Sequence, residues 1–116
     1  MEIREVAEAF ANLLKADRFD EAAIRFWHED IATYEAMPGD FAEVHGRAAN
    51  LEKAKWWYDN HHVHETRVDG PWVNGDQFAL RMAIDVTPKG GERMQMDEIV
   101  LYTVRDGKVA EERYLY

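Results

Sequence analysis

The feature that most constrains this chain is the stretch from His61 to Tyr116, where alternating apolar and polar residues are punctuated by turn chemistry. The breaks are Asn74-Gly75-Asp76, Pro88-Lys89-Gly90-Gly91 and Asp106-Gly107. Asn-Gly and Asp-Gly supply the positive φ angles that tight hairpins need, so the runs beside them are expected to pair as antiparallel strands. The expected strands are His61 to Val68, Gln77 to Thr87, Glu92 to Arg105 and Lys108 to Tyr116, with Asp69-Gly70-Pro71 breaking the chain after the first. A meander of this kind has one apolar face, and something must cover it.

The preceding residues supply the cover. Ile3, Val6, Ala7, Phe10, Leu13 and Leu14 recur at three- and four-residue steps, which places them on one face of a helix with Glu2, Glu5, Glu8 and Lys15 turned to water. Asp17 or Asp20 is expected to cap a second, shorter helix whose apolar side holds Ala23, Phe26 and Trp27. Ile31 to Met37 reads as a short strand stopped by Pro38-Gly39-Asp40, and Arg47 to Tyr58 reads as a third helix. Consecutive strands following helices give an α+β class, and the absence of a repeat or linker gives one domain over residues 1–116.

Several functions are disfavoured by composition. A net charge of −9 without a basic cluster repels nucleic acid and anionic membranes, so neither is expected as a partner. There is no Cys, which removes disulfides, thiol nucleophiles and cysteine-bound zinc. No segment reads as a signal peptide or reaches transmembrane length, and a cytoplasmic location is expected by default. Without a Gly-rich phosphate loop, a Gly-x-Ser-x-Gly elbow or a dinucleotide fingerprint, no cofactor is expected either.

The strand Glu92 to Arg105 carries the sharpest chemical signal. Met94, Met96, Glu98, Val100, Tyr102 and Val104 share its more apolar face. A carboxyl buried there loses solvation of its charged form, which raises its pKa toward the range useful for proton transfer. The alternative is a carboxylate paired with an inward Arg or lying at a sheet edge. Glu35 shares a strand face with Ile31, Thr33 and Met37, where it is either a partner for Glu98 in acid and base roles or a strand-end residue in water. On the final strand Glu112 and Tyr114 fall on one face with Ala110 and Tyr116, where a Tyr hydroxyl either donates to an oxyanion or packs locally. His62 and His64 point to one side of a strand, enough for two ligands of an ion, but no spacing supplies a third, so no metal site is expected. His64 remains a candidate acid, base or orienting group.

The helix-then-hairpin order resembles the nuclear-transport-factor-2-like cone fold, and within it the SnoaL-like family. The resemblance rests on Val44-His45-Gly46-Arg47-Ala48, Lys55-Trp56-Trp57-Tyr58, Val63-His64, Val68-Asp69-Gly70-Pro71, Gly75-Asp76-Gln77-Phe78-Ala79, Asp85-Val86-Thr87, Glu98-Ile99-Val100-Leu101-Tyr102 and the run Asp106 to Glu112. It implies three N-terminal helices packed on a curved, mostly antiparallel sheet, a conical pocket, and commonly a homodimer built through the sheets. It also implies cofactor-independent proton chemistry on small molecules, as in polyketide cyclases, although other members of the fold only bind ligands or proteins. The cyclase acid/base on a late strand has its nearest matches in Glu98 and Asp85. The isomerase base falls near Glu35, but its Tyr donor on the first helix has no counterpart, since Phe10 is there.

The sequence thus leads to an isomerase, cyclase or lyase-like enzyme acting on a small apolar carbonyl compound. Glu98, Glu35 and His64 are its catalytic candidates, and Trp27, Trp57, Met96, Tyr102, Glu112, Tyr114 and Asp85 its ligand-binding candidates. The alternative is a non-catalytic ligand-binding or dimeric interaction module of the same fold.

Overall fold

The computed structural model describes all residues, 1–116. Helix α1 (Ile3–Lys15) forms where the apolar stripe predicts it, burying Val6, Ala7, Phe10, Ala11, Leu13 and Leu14. At its start the Glu2 N–H donates to the Glu5 carboxylate at 3.4 Å. It ends because Asp17 turns left-handed at φ 60°, a conformation that a short polar side chain tolerates. Asp17 therefore terminates α1 and does not cap α2 (Phe19–Phe26), whose N-cap position is Arg18. Asp20 lies inside the first turn of α2, where a negative charge suits the positive end of the helix.

Strand β1 (Trp27–Tyr34) begins at once, so Trp27 belongs to the sheet and not to the helix. The strand stops before Met37, which is 64% exposed. A short strand not expected from the sequence, β2 (Glu43–His45), pairs back on β1, and α3 (Arg47–Asn60) follows it directly.

Next comes β3 (His61–Asn74), which continues through Gly70-Pro71 where a turn was expected. The chain absorbs the interruption as a register irregularity between Asp69 and Trp72 against β4. Gly70 sits at φ 114°, and a Cβ there would approach the Ala79 carbonyl oxygen to 3.0 Å, so only glycine fits. Lys15 Nζ donates to the Gly70 carbonyl at 2.7 Å, tying α1 to this kink. Strands β4 (Gln77–Pro88), β5 (Met94–Arg105) and β6 (Lys108–Leu115) complete a six-stranded sheet in the order β2-β1-β6-β5-β4-β3.

All neighbours are antiparallel except β1 and β6, which run parallel and place Thr33 beside Glu112. The expected α+β class, with three helices packed on a curved and mostly antiparallel sheet, is borne out. The core lies between α1 and the inward residues of β4 and β5, including Phe78, Leu80, Val86, Val100 and Tyr102. Phe10 meets Phe26, Phe78 and Tyr102 edge-on at 6.1, 6.0 and 5.0 Å. Each such fully buried large side chain contributes about 1.5–3 kcal/mol from desolvation. No helix is long and apolar enough to cross a membrane.

Candidate active site

Alternation along β4 and β5 decides which groups meet. Met82 and Ile84 are buried, and Glu98 pairs with Met82, so Glu98 faces the same interior. Val100 lies opposite Tyr114 and Tyr102 opposite Glu112, so the inward residues of β6 join them. Glu98, Tyr102, Glu112 and Tyr114 therefore occupy one patch of the inner face.

Glu112 is the most deeply set carboxyl, 4% exposed. It accepts from Trp27 Nε1–H at 2.7 Å and, on its other oxygen, from the Tyr114 hydroxyl. Burial pushes its pKa up, opposed by these two donors and by Lys53. The Tyr114 phenol is also driven well above its ordinary value, first by burial and then by the neighbouring Glu112.

Glu35 lies just past β1, where its N–H donates to the Ala42 carbonyl at 2.8 Å as the chain turns toward β2. Its carboxylate accepts from Lys53 Nζ at 2.7 Å and from the Tyr116 hydroxyl at 3.0 Å. Lys53 comes from α3 and also donates to Thr33 Oγ1 at 2.9 Å. Thr33 in turn donates to Asn50 Oδ1 at 2.7 Å. The Asn50 amide donates to the carbonyls of Ile31, Val44 and Gly46, which fixes α3 over the end of β1.

Glu98 differs from both other carboxyls. It is half-buried, and no hydrogen bond or ion pair holds it. Burial, then Glu35, then Glu112 raise its pKa to about 7, with Lys53 opposing. Three carboxyls facing one ammonium leave the patch negative when all are ionised, and Glu98, lacking a donor, takes up the proton most readily.

Tyr102 is 2% exposed, and its hydroxyl likewise has no hydrogen-bond partner. Every fully enclosed side-chain nitrogen or oxygen is partnered, so this hydroxyl must open onto accessible space. Its phenol is held well above the ordinary value by burial, then by Glu112 and Glu98. An unpartnered donor and an unpartnered carboxyl on one inner face can bind a carbonyl and move a proton beside it.

Other expected residues lie elsewhere. Asp85 sits between buried Ile84 and Val86, so strand alternation sends it to the outer face, where Arg93 clamps it at 2.9 and 2.7 Å. His64 is on that side too, with Nε2 2.7 Å from Thr87 Oγ1 and its charge felt by Asp85. Neither residue reaches the carboxyl patch: alternation along β4 turns Asp85 outward, and His64 falls at the register irregularity between Val63 and Glu65 on β3.

The His62 and His64 rings are 4.6 Å apart, and no group of three or more His, Asp or Glu is placed to hold an ion. Met96 shares the Glu98 face, two residues away and opposite Ile84. Trp57 is half-buried on α3 and stacks on His61 at 4.3 Å. A groove of about 740 Å³ between α2, α3 and β3, lined by Tyr58, Val63 and Leu51 among others, contains none of the patch carboxyls.

Sequence reasoning missed Lys53 and Asn50. Their signal was present: Asn50, Lys53 and Trp57 follow three- and four-residue steps on a helix, and Asn50 is the only fully buried residue of α3. A helix that turns polar residues to the sheet carries no apolar stripe to mark that face.

A family model described as SnoaL-like domain matches residues 1–116. A Mesorhizobium loti protein provisionally named a SnoaL-like polyketide cyclase, with carbohydrate phosphatase in brackets, is 53% identical and covers 100% of both chains at a TM-score of 0.98. A provisionally named SnoaL-like polyketide cyclase from Jannaschia sp. CCS1 superposes with a TM-score of 0.77 at 15% identity, covering 96% of this chain and 85% of that one. A provisionally named isomerase from Bacillus subtilis gives a TM-score of 0.77 at 15% identity over 98% and 88%. These likenesses agree with the α+β cone expected from the sequence. A comparison with curated proteins gave no match.

Proposed function

The chain belongs to the SnoaL-like domain family, and on that premise we propose that it is a cofactor-independent acid–base enzyme of the isomerase or cyclase type. Its substrate in this reading is a small, neutral and mostly apolar carbonyl compound. The observation that carries the reading is Glu98, a half-buried carboxyl bound to nothing in the protein, with a pKa raised to about 7. A base poised near neutrality is present in both protonation states at working pH, which proton shuttling requires.

In this reaction ionised Glu98 takes the proton from the carbon next to the carbonyl. The electron pair moves onto the carbonyl oxygen, which the Tyr102 hydroxyl stabilises by donation. Where the substrate is a β,γ-unsaturated ketone, Glu98 returns the proton to the γ-carbon of the dienolate. Where it carries a second carbonyl, the enolate carbon attacks that carbonyl carbon, its C=O π pair moves onto oxygen, and Glu98 gives the proton to that oxygen as the ring closes. Glu112, held by Trp27 and Tyr114, stays fixed in place beside this exchange. Three carboxyls against one ammonium favour a neutral substrate over an anionic one. The cyclase and isomerase names carried by similar structures fit this class of reaction.

The measurement that tests it is deuterium exchange in D₂O at the α-carbons of a panel of apolar ketones, followed by proton NMR. The wild type exchanges them, and Glu98→Gln loses about 10²–10⁴-fold of that rate. Exchange that survives the substitution removes Glu98 as the base.

A second reading, a ligand-binding module without turnover, draws on the groove of about 740 Å³ beside Tyr58 and Leu51. It gives binding that Glu98→Gln leaves untouched and no exchange in any ketone.

A further inference from the structure

α3 is an unusual cover for a sheet, because what it presses inward is polar. Lys53 is the centre of that polar contact. Its side chain is 15% exposed, its ammonium lies 2.7 Å from Glu35 and 2.9 Å from Thr33 Oγ1, and it sits 5.3 Å from the centre of the Tyr114 ring. The three bonding directions of an ammonium are thus spent on a carboxylate, a hydroxyl and an aromatic face. A lysine on an exposed helix face would extend into water. This one is folded inward and held by residues of β1, β6 and the turn after β1.

We propose that Lys53 is the positioning residue of this site: it anchors Glu35 and supplies the positive charge that lets Glu98 work as a base. The inference rests on the acid–base reading above and deepens it. The groups facing Glu98 are Glu35 from the turn after β1, Lys53 from α3, Tyr102 on its own strand, Glu112 and Tyr114 from β6, and Tyr116 just past the end of β6. Lys53 alone among them opposes protonation of Glu98, while Glu35 and Glu112 promote it.

The signs follow from charge. Taking away Lys53 leaves three carboxyls with no ammonium facing them and leaves Glu35 only its Tyr116 donor, so Glu98 holds its proton more tightly. Taking away the Glu35 charge does the reverse. Because Glu35 acts on Glu98 more strongly than Lys53 does, removing both leaves Glu98 slightly below its starting value. Lys53 touches no reacting atom in this scheme and acts through Glu35 and Glu98.

The test follows the Glu98 side-chain carboxyl by ¹³C NMR against pH in the wild type, Lys53→Met, Glu35→Gln and the double variant. Lys53→Met moves the Glu98 midpoint up by about 1 pH unit, Glu35→Gln moves it down, and the double variant falls at or just below the wild type. In ketone exchange, Lys53→Met lowers the rate at pH 7 by about fivefold and recovers it at higher pH, and Lys53→Arg restores much of it. A loss equal at every pH, or a Glu98 midpoint unmoved by Lys53→Met, overturns the proposal. If Lys53→Met fails to fold, the Glu35→Gln and Lys53→Arg titrations still decide it: an unmoved midpoint in Glu35→Gln rejects the network. A wild-type Glu98 that titrates as an ordinary carboxyl defeats the acid–base reading itself, whereas an elevated midpoint indifferent to Lys53 defeats this inference alone.

Discussion

A carboxyl with no donor beside it loses stabilisation whenever it ionises in place, and this gives Glu98 a thermodynamic signature independent of any substrate. Its folded-state pKa of about 7 lies above the ordinary 4.5. Between those values the native chain binds more protons than the unfolded one, so stability falls as pH rises through that window and levels above pH 7. The shift corresponds to at most about 3 kcal/mol. Glu98→Gln removes the titrating group. Urea denaturation is therefore expected to find the variant about 1–3 kcal/mol more stable than wild type at pH 8, with little difference at pH 4.5. An advantage of the same size at both pH values would contradict a raised Glu98. The group thought to perform the chemistry is thus expected to weaken the fold under the conditions in which it works.

At the level of elements, the sheet and the site differ in how they are written. The hairpins were legible because Asn74-Gly75 and Asp106-Gly107 specify turns locally, and α1 because its stripe has a helical period. Glu98 and Tyr102 could be placed on one face from alternation along β5 alone. The strand β2, the continuation of β3 past Gly70 and the contribution of α3 were not legible, since each depends on a neighbour distant in sequence. His64 and Asp85 were misplaced for a related reason: a single register irregularity or a one-residue alternation decides the face, and family likeness does not carry that parity. α3 depends on Asn50, whose amide satisfies carbonyls of Ile31, Val44 and Gly46 while its oxygen accepts from Thr33. Asn50→Ala strands these groups and is expected to lower stability by about 2–4 kcal/mol, read as a reduced urea midpoint with an unchanged slope. A midpoint within error of wild type would show that α3 is held by other contacts.

For the molecule as a whole, the outer sheet face is the least settled surface in water. Ile99 and Leu115 pair across β5 and β6 at 46% and 49% exposure, and Trp72 on β3 is 59% exposed. Alternation places all three opposite the buried face. The homodimer through the sheet that the family resemblance implied is our proposal for what covers them. Sedimentation equilibrium is expected to find two chains together, and Ile99→Glu with Leu115→Glu to give monomers with an unchanged circular dichroism spectrum. A wild type that sediments as one chain at micromolar concentration counts against it.

The parallel pairing of β1 with β6 joins distant parts of the sequence, setting Thr33 beside Glu112. Loop closure over such a separation comes late in folding, since its entropy must be overcome before the contact rewards it. Glu35 and Glu98 are brought together only by that closure, so the site has no half-formed version. On the proposed acid–base reading, any partly folded species of this chain is expected to be chemically silent, and recovery of ketone exchange after denaturation would then time the docking of the last long-range strand.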